Sequence, residues 1–310
     1  MVIAHTLADF EHRPNSAVSV GSFDGVHVGH QAILRDVVMR AVSLKGQSVA
    51  VTFDPHPREV LGGGPVEQLT TLDERLAEFR DLGIDVTLIL NFTYEFSRQT
   101  PREFYQRYII DGIGAAEVIE GHDHMFGRDR EAGVAALIAL GRELGFTTTT
   151  LHPVMVDREI VSSSSIRELL LSGDVEKAAR FLGRPYRLDG RVVRGAGRGR
   201  QIGFPTANIE PSSSQKLVPG GGVYFVSANV RQQHRYGMLN IGTRPTFTSN
   251  AGKTVEVHLF DFDEILYGDD VTVRFHRRLR DEKKFSSQTE LSEQLQKDRT
   301  ACLMLIDAVQ

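Results

Sequence analysis

AVSVGSFDGVHVGHQAIL, residues 17–34, changes its hydrophobic period part-way along. Residues 18–20 are a short run containing two β-branched valines, and the run ends at Gly21. From His30 onward Ile33, Leu34, Val37 and Val38 recur at the spacing of one helix face. Strand, tight turn and helix start form the arrangement by which a parallel α/β sheet presents ligands beyond its strand ends. His27 and His30 stand three apart at that turn. A helix starting near Gly29 aims its free amides at the same spot and favours an anion such as phosphate. One such histidine is ordinarily a hydrogen-bonded surface side chain. Two of them, flanked by Gly25 and Gly29 so that a ligand can approach the backbone, favour a site.

Residues 49–53 are a second apolar strand, followed by Asp54-Pro55-His56-Pro57. Two prolines enforce an extended exit and block a helix there, giving either a plain loop or a rigid pocket edge. Thr71 followed by Glu74 has the form of a capping box ahead of an amphipathic run. Residues 86–90 are a third strand, Pro101 opens a helix, and residues 118–120 form a fourth strand ending at Gly121. A helix over 134–144 and an alternating segment over 151–156 follow. Alternating strands and helices predict a parallel sheet covered on both faces. His122, Asp123 and His124 are too close in sequence to converge on one ion without further partners. Ser162 to Ser165 precede a helix, and their hydroxyls serve either as plain caps or as phosphate donors. A short helix then leads to Gly183-Arg184-Pro185-Tyr186, a natural boundary.

The 310 residues suit about two domains of ordinary size. A hydrophobic content of 41% and a charged content of 25% are those of a soluble globular protein. A net charge of −4 argues against nucleic-acid binding through bulk charge. The beginning has no basic segment leading a long apolar run, and no apolar stretch is long enough for a membrane span. The expectation is a cytoplasmic protein without membrane or nucleic-acid partners; weak self-association is left open. The single cysteine, Cys302, reads as buried filler in a helix.

After Tyr186 short strands separated by glycines replace the long helical patterns: 188–193, 223–229, 236–241, 255–260 and 271–275. They predict a compact antiparallel barrel, with a final helix over 289–309 packed on it. The loop VVRGAGRGRQIGFPTANI, residues 192–209, imitates part of a dinucleotide fingerprint. That reading fails, because Arg200 breaks the pattern and no helix follows. A glycine-rich turn with exposed amides and basic side chains can still wrap a nucleotide phosphate. Thr206 and Asn208 offer neutral oxygens on one side of an extended chain, which suit magnesium. Glu256 lies between Val255 and Val257, so its side chain faces away from both. Arg277, Arg278, Arg280, Lys283 and Lys284 read as a solvated, flexible loop.

GSFDGVHVGH resembles the HxGH signature of the nucleotidylyltransferase superfamily, in the GxFDGxHxGH form of prokaryotic bifunctional riboflavin kinase/FAD synthetases. GRQIGFPTAN resembles the flavokinase signature, and NIGTRPTF (240–247), VEVHLFDF (255–262), Tyr267-Gly268 and LRDEKKF (279–285) follow in the family's order. The resemblance runs from Val18 through Lys297. It implies an α/β fold: a Rossmann-like nucleotidylyltransferase domain with a parallel sheet over 1–184, then a flavokinase-type antiparallel β-barrel with a terminal helix over 185–310. The implied activities are riboflavin plus ATP to FMN plus ADP in the barrel, and FMN plus ATP to FAD plus diphosphate in the first domain. Riboflavin, FMN and ATP are the implied small-molecule partners, with Mg²⁺ as cofactor.

By the same resemblance His27 and His30 are catalytic. Gly21, Phe23, Asp24, Gly29, Ser163, Ser164, Arg167, Gly197, Gly199 and Thr206 bind ATP or its phosphates. Pro55, Pro57, Asp123, Phe126 and Arg280 line the flavin. Thr206 and Asn208 hold the metal, and Glu256, inside the barrel mouth, is the base for the attacking ribityl hydroxyl. Arg167 suits phosphate because a guanidinium grips two oxygens at once. GHDHMFG departs from the family's G-x-[DN]-F-x-FG at His124, while Asp123, Phe126 and Gly127 match. In the element resembling SSTxIR, Ser164 replaces the usual threonine and Ser165 a frequent arginine. The alternatives are a kinase with a silent first domain and a flavin-binding regulator without turnover.

Overall fold

The structure is a computed structural model and describes residues 1–62, 66–122, 133–195, 199, 202–243, 253–262 and 264–306. The chain forms two compact units, Met1–Ser163 and Ser164–Gln310. Composition places the boundary later, at Tyr186.

In the first unit β1 (Val2–Ala4), β2 (Ser16–Val20), β3 (Ser48–Asp54), β4 (Val86–Asn91), β5 (Ala115–Gly121) and β6 (Thr147–Leu151) form one parallel sheet in the order β1-β4-β3-β2-β5-β6. Alternation sorts its side chains onto two covered faces. Ala17, Ala50, Ile89 and Ile119 meet Leu34, Val37 and Ala41 of α1 (Val28–Leu44). Val18, Val20, Val49, Val51 and Val118 meet Tyr105, Ile109, Leu137 and Phe146 on the other face. The strand order reverses at β2, which has β3 on one side and β5 on the other.

The local signals behave as the residues dictate, with one exception. Thr71 and Glu74 exchange side-chain-to-backbone bonds to cap α3 (Leu72–Asp81). The two prolines after β3 do not exclude a helix: α2 (Pro57–Val60) starts there, with Pro57 at its first position and His56 as its cap. Proline is tolerated in a first turn because the amide it lacks has no helical partner there. Farther on come α4 (Tyr94–Ser97) and α5 (Pro101–Phe104), the latter running into a π-helix over Tyr105–Ile113, and then α6 (Val134–Leu144). Strands β1 and β6 carried no readable signal: β1 has three residues, and β6 is TTTTL without apolar alternation.

The division falls after the first residue of α7 (Ser163–Ser172), and the second unit continues with α8 (Val175–Leu182). Its strands are β9 (Tyr186–Val193), β10 (Ala207–Pro211), β11 (Gly222–Val230), β12 (Gln233–Thr243), β13 (Lys253–Leu259) and β14 (Asp270–Arg280). They close an antiparallel barrel in the order β10-β13-β12-β11-β14-β9. The hairpin strands β7 (Met155–Val156) and β8 (Glu159–Ile160) stand apart, in the first unit.

Leu239, Ile241, Val255, Val257 and Leu259 share one side of β12 and β13 and are at most 5% exposed, as a barrel lining must be. Met238 lies on the opposite side and packs with Leu295, Cys302 and Leu305 of α9 (Gln288–Ile306). Burial pushes the Cys302 thiol up to about 12, which makes it an inert core group.

Of the basic segment read as a solvated loop, Arg277, Arg278 and Arg280 belong to β14 and are paired, whereas Lys283 and Lys284 do lie exposed in the coil beyond it. Arg277 pairs with Glu176 of α8, and Arg278 pairs with Asp281 and donates to the Gly221 carbonyl. Arg280 forks onto Asp298 of α9 at 2.7 and 3.1 Å, and Gln294 donates to the same carboxylate. Asp298 is 4% exposed. Asp298→Ala is therefore expected to cost the second unit about 2–3 kcal/mol, measured by urea unfolding, because it strands a partly covered guanidinium. A loss within about 0.5 kcal/mol would make the pair an ordinary surface one.

Candidate active sites

At the strand-order reversal β2 ends and the chain turns through residues 21–27 before α1. Ligands bind at such a point because the loops leaving neighbouring strands diverge there. The divergence is visible: β2 and β5 pair up to Val18, and the Val20 amide then bonds the buried Glu120 carboxylate instead of a backbone carbonyl.

The turn is held by buried polar groups. Phe23, Gly25 and Val26 have φ of 48°, 85° and 39°. For Phe23 and Val26 these are left-handed conformations that must be over-determined by their surroundings. Phe23 and Val26 are 3% and 0% exposed. Asp24 Oδ1 accepts the amides of Leu69 and Thr70 at 2.9 and 3.0 Å, and the Gly25 amide bonds Thr70 Oγ1. Ser163 Oγ donates to the Asp24 carbonyl at 2.8 Å. Arg75, on the buried side of α3, donates to the Ser22 carbonyl and to Thr52 Oγ1. Of the two residues expected at the nucleotide, Asp24 fastens the loop and Phe23 packs edge-on to His30 and Phe79.

His27 caps α1, its Nδ1 accepting the His30 amide at 3.3 Å. The accepted bond leaves the proton of the neutral His27 ring on Nε2. The two imidazoles stack with centroids 3.6 Å apart. A Cβ on Gly29 would stand 3.1 Å from the His27 ring, so glycine lets the cap fold over the helix start. His30 Nδ1 is sealed from solvent without a hydrogen-bond partner. A buried lone pair is cheaper there than a buried N–H, which places the His30 proton on Nε2 as well. Burial, then the nearby His27 and Arg75, hold the His30 pKa well below the ordinary range. Both rings therefore carry their proton on Nε2 at the start of α1, where the helix end favours an anion such as a polyphosphate.

Pro55 is exposed and Pro57 half-buried just past the end of β3. Ser164 and Arg167 lie in the first turns of α7. Asp123, His124, Phe126, Gly127 and Gly197, with residues 244–247 of NIGTRPTF, fall outside the described residues.

In the second unit Asn208 sits opposite Glu256 across β10 and β13, and Asn240 sits opposite it across β12 and β13. Directly opposed residues share a face, so the three side chains form one row. Glu256 does point away from Val255 and Val257. Since those valines line the barrel, however, the carboxylate stands on the outer face and not inside the barrel mouth. Thr206 Oγ1 approaches Glu256 Oε2 at 3.5 Å. Gly195 lacks the Cβ that would strike the Asn208 amide, and the Gly199 carbonyl accepts the amides of Ile202 and Phe204, folding this turn onto FPTAN. Thr206, Asn208 and Glu256 are hard oxygen donors of the kind magnesium takes. Arg280 is committed to Asp298.

Sequence reasoning missed Arg75 and Asn240. Arg75 is a charged residue among the apolar positions of an amphipathic helix, and Asn240 shares the row of Glu256, a pairing that appears once strand partners are known.

Residues 9–165 match the FAD synthetase family and residues 182–306 the riboflavin kinase family. The chain belongs to the bifunctional riboflavin kinase/FMN adenylyltransferase family. A bifunctional riboflavin kinase/FMN adenylyltransferase of Pseudomonas fluorescens is 38% identical over 295 residues, covering 95% of this chain and 94% of its own. One from Bacillus subtilis is 36% identical over 296 residues, covering 93% and 92%. A solved Streptococcus pneumoniae structure, described as a macrolide-efflux protein, shares the fold with a TM-score of 0.89 at 30% identity, covering 97% of this chain and 99% of its own. Among the described residues no helix is long and apolar enough to cross a membrane.

In this member of the riboflavin kinase/FMN adenylyltransferase family the depressed His30 pKa has a stability consequence. Below about pH 6.5 the unfolded chain takes up a proton that folded His30 refuses, so stability falls as pH falls. His30→Gln is expected to flatten the change in unfolding free energy between pH 7.5 and 5.5, by up to about 1.4 kcal/mol per pH unit. Parallel urea titrations of the two proteins test this; an unchanged slope would show that His30 protonates freely when folded.

Proposed function

We propose that the chain performs two successive steps of flavin cofactor synthesis. Residues 185–310 transfer the γ-phosphoryl group of ATP to riboflavin, giving FMN and ADP. Residues 1–184 transfer the adenylyl group of a second ATP to FMN, giving FAD and diphosphate. One observation carries the reading: a single chain holds both the stacked His27–His30 pair at a sheet reversal and the approach of Thr206 to Glu256 on a barrel wall.

In the barrel unit Glu256 accepts the proton of the terminal ribityl hydroxyl as that oxygen attacks the γ-phosphorus. Thr206 and Asn208 hold Mg²⁺ on the same face. The bound ion supplies charge neutralisation on the transferring phosphoryl group, and positioning by the protein does most of the rest. Gly197 and Gly199 belong to the turn assigned to the nucleotide phosphates.

In the first unit the FMN phosphate is already an anion when it attacks the α-phosphorus, so no base is needed. His27 and His30 donate from Nε2 to the oxygens on which charge builds, and diphosphate leaves. Neither ring has to surrender a proton. Ser163, Ser164 and Arg167 are assigned to the ATP phosphates, and Pro55, Pro57, Asp123 and Phe126 to the flavin. The work takes place in the cytoplasm on small molecules.

Chromatographic separation of flavins after incubation with riboflavin, ATP and magnesium, and then with FMN replacing riboflavin, tests the reading. FAD is expected from both incubations, with FMN as intermediate in the first. FMN accumulating without FAD would leave a kinase with a silent first domain. His27→Ala should lower FAD formation by roughly a hundredfold or more while FMN formation persists. Glu256→Ala should lower FMN formation by roughly 10²–10⁴-fold while FAD still forms from added FMN. Equal loss of both activities in either variant would contradict separate sites.

A further inference from the structure

We propose that His258 is a positioning residue for phosphoryl transfer: its ring substitutes for a missing rung of the β10–β13 ladder and places Thr206 against Glu256. The inference rests on the roles just assigned to those two residues.

The ladder pairs Ala207 with Val257 and Asn208 with Glu256, and β10 begins at Ala207. Thr206 is one residue beyond the last rung, so the sheet does not place it. Continued by one residue, the register would oppose Thr206 to His258. At that point a side chain takes over from the backbone. His258 Nδ1 lies 2.8 Å from the Pro205 carbonyl oxygen. A carbonyl only accepts, so Nδ1 carries the proton and donates it. This bond fixes the peptide plane that joins Pro205 to Thr206.

The grip has a second side. The Phe204 ring meets the His258 ring edge-on at 5.3 Å, and Phe260 meets it at 5.8 Å. The Phe204 amide is itself bonded to the Gly199 carbonyl, which ties the glycine-rich turn to the same clamp. His258 is 9% exposed and lies two residues from Glu256 on the same face of β13. Base and clamp are thus carried by one strand, and Thr206 is delivered to the base from across the ladder's end. Pro205, which has no amide to offer a ladder, accounts for the need: the segment is held through its carbonyl and ring contacts.

Two variants separate positioning from mere filling of space. The donor of His258→Asn falls near the place of Nδ1, whereas that of His258→Gln falls where Nε2 stood. His258→Gln is expected to lower kcat for FMN formation roughly ten- to a hundredfold, with KM for riboflavin changed far less. It should also weaken magnesium-dependent ADP binding to the full chain, read by calorimetry. His258→Asn should return both quantities to within about threefold of the unsubstituted protein. FAD formation from added FMN should stay unchanged in both, which reports an intact chain. Equal kcat in the Gln and Asn variants, whether both high or both low, would overturn the proposal. A Glu256→Gln protein that still makes FMN at full rate would remove the underlying assignment instead. An inactive Glu256→Gln beside a fully active His258→Gln would remove only the positioning role.

Discussion

A buried carboxylate accepting backbone amides is the constraint on which the first unit's chemistry rests. Asp24 holds residues 69–70 to the turn after β2, and that turn is otherwise built from backbone conformations that Phe23 and Val26 resist. Taking such a carboxylate out of water is tolerable because its oxygen is satisfied by N–H donors. Its return is geometric. With the turn fixed, His27 is delivered as the cap of α1, its ring lies over Gly29, and the two rings stack 3.6 Å apart with their protons on Nε2. A looser turn would present the same residue types without the same directions.

The barrel unit solves the corresponding problem in another way. Regular antiparallel pairing puts Asn208, Glu256 and Asn240 in a row without any special device, because opposed residues across a ladder share a face. Difficulty arises where the ladder stops. Pro205 interrupts it one residue from Thr206, and from there the chain is held by side chains: a ring bond to a carbonyl, an edge-on phenylalanine, and a glycine carbonyl turned back onto the segment. α9 covers a neighbouring part of the outer wall and is pinned by the Arg280–Asp298 fork. The wall bearing the row is thereby backed by packed side chains on both its faces.

Much of this was legible in the chain. The strand-to-helix change of period at Gly21, the capping box at Thr71 and the alternation around Glu256 are local signals set by the geometry of single elements. The resemblances in GSFDGVHVGH and FPTAN pointed to both candidate sites. Illegible were elements whose stability comes from neighbours rather than from pattern: the short edge strand β1, the threonine strand β6, and β10, whose ANIEP has no strand signature until β9 and β13 flank it. Arg280 and its neighbours looked like a solvated loop because their partners, Glu176, Gly221 and Asp298, are distant in sequence or follow on another element.

By itself the sequence determined the residue types, the order of the two units, and the face on which each strand residue lies, since a period of two or of 3.6 is a property of the local backbone. Tertiary structure decided which face became interior. That choice put Glu256 on the outer wall of the barrel, because the valines beside it are the ones that gain from leaving water. It also decided protonation: Nδ1 of His30 is sealed and Nδ1 of His27 is occupied, so both rings carry the proton on Nε2. Burial and hydrogen-bond partners are sums over residues far apart in the chain, and only the folded packing supplies them.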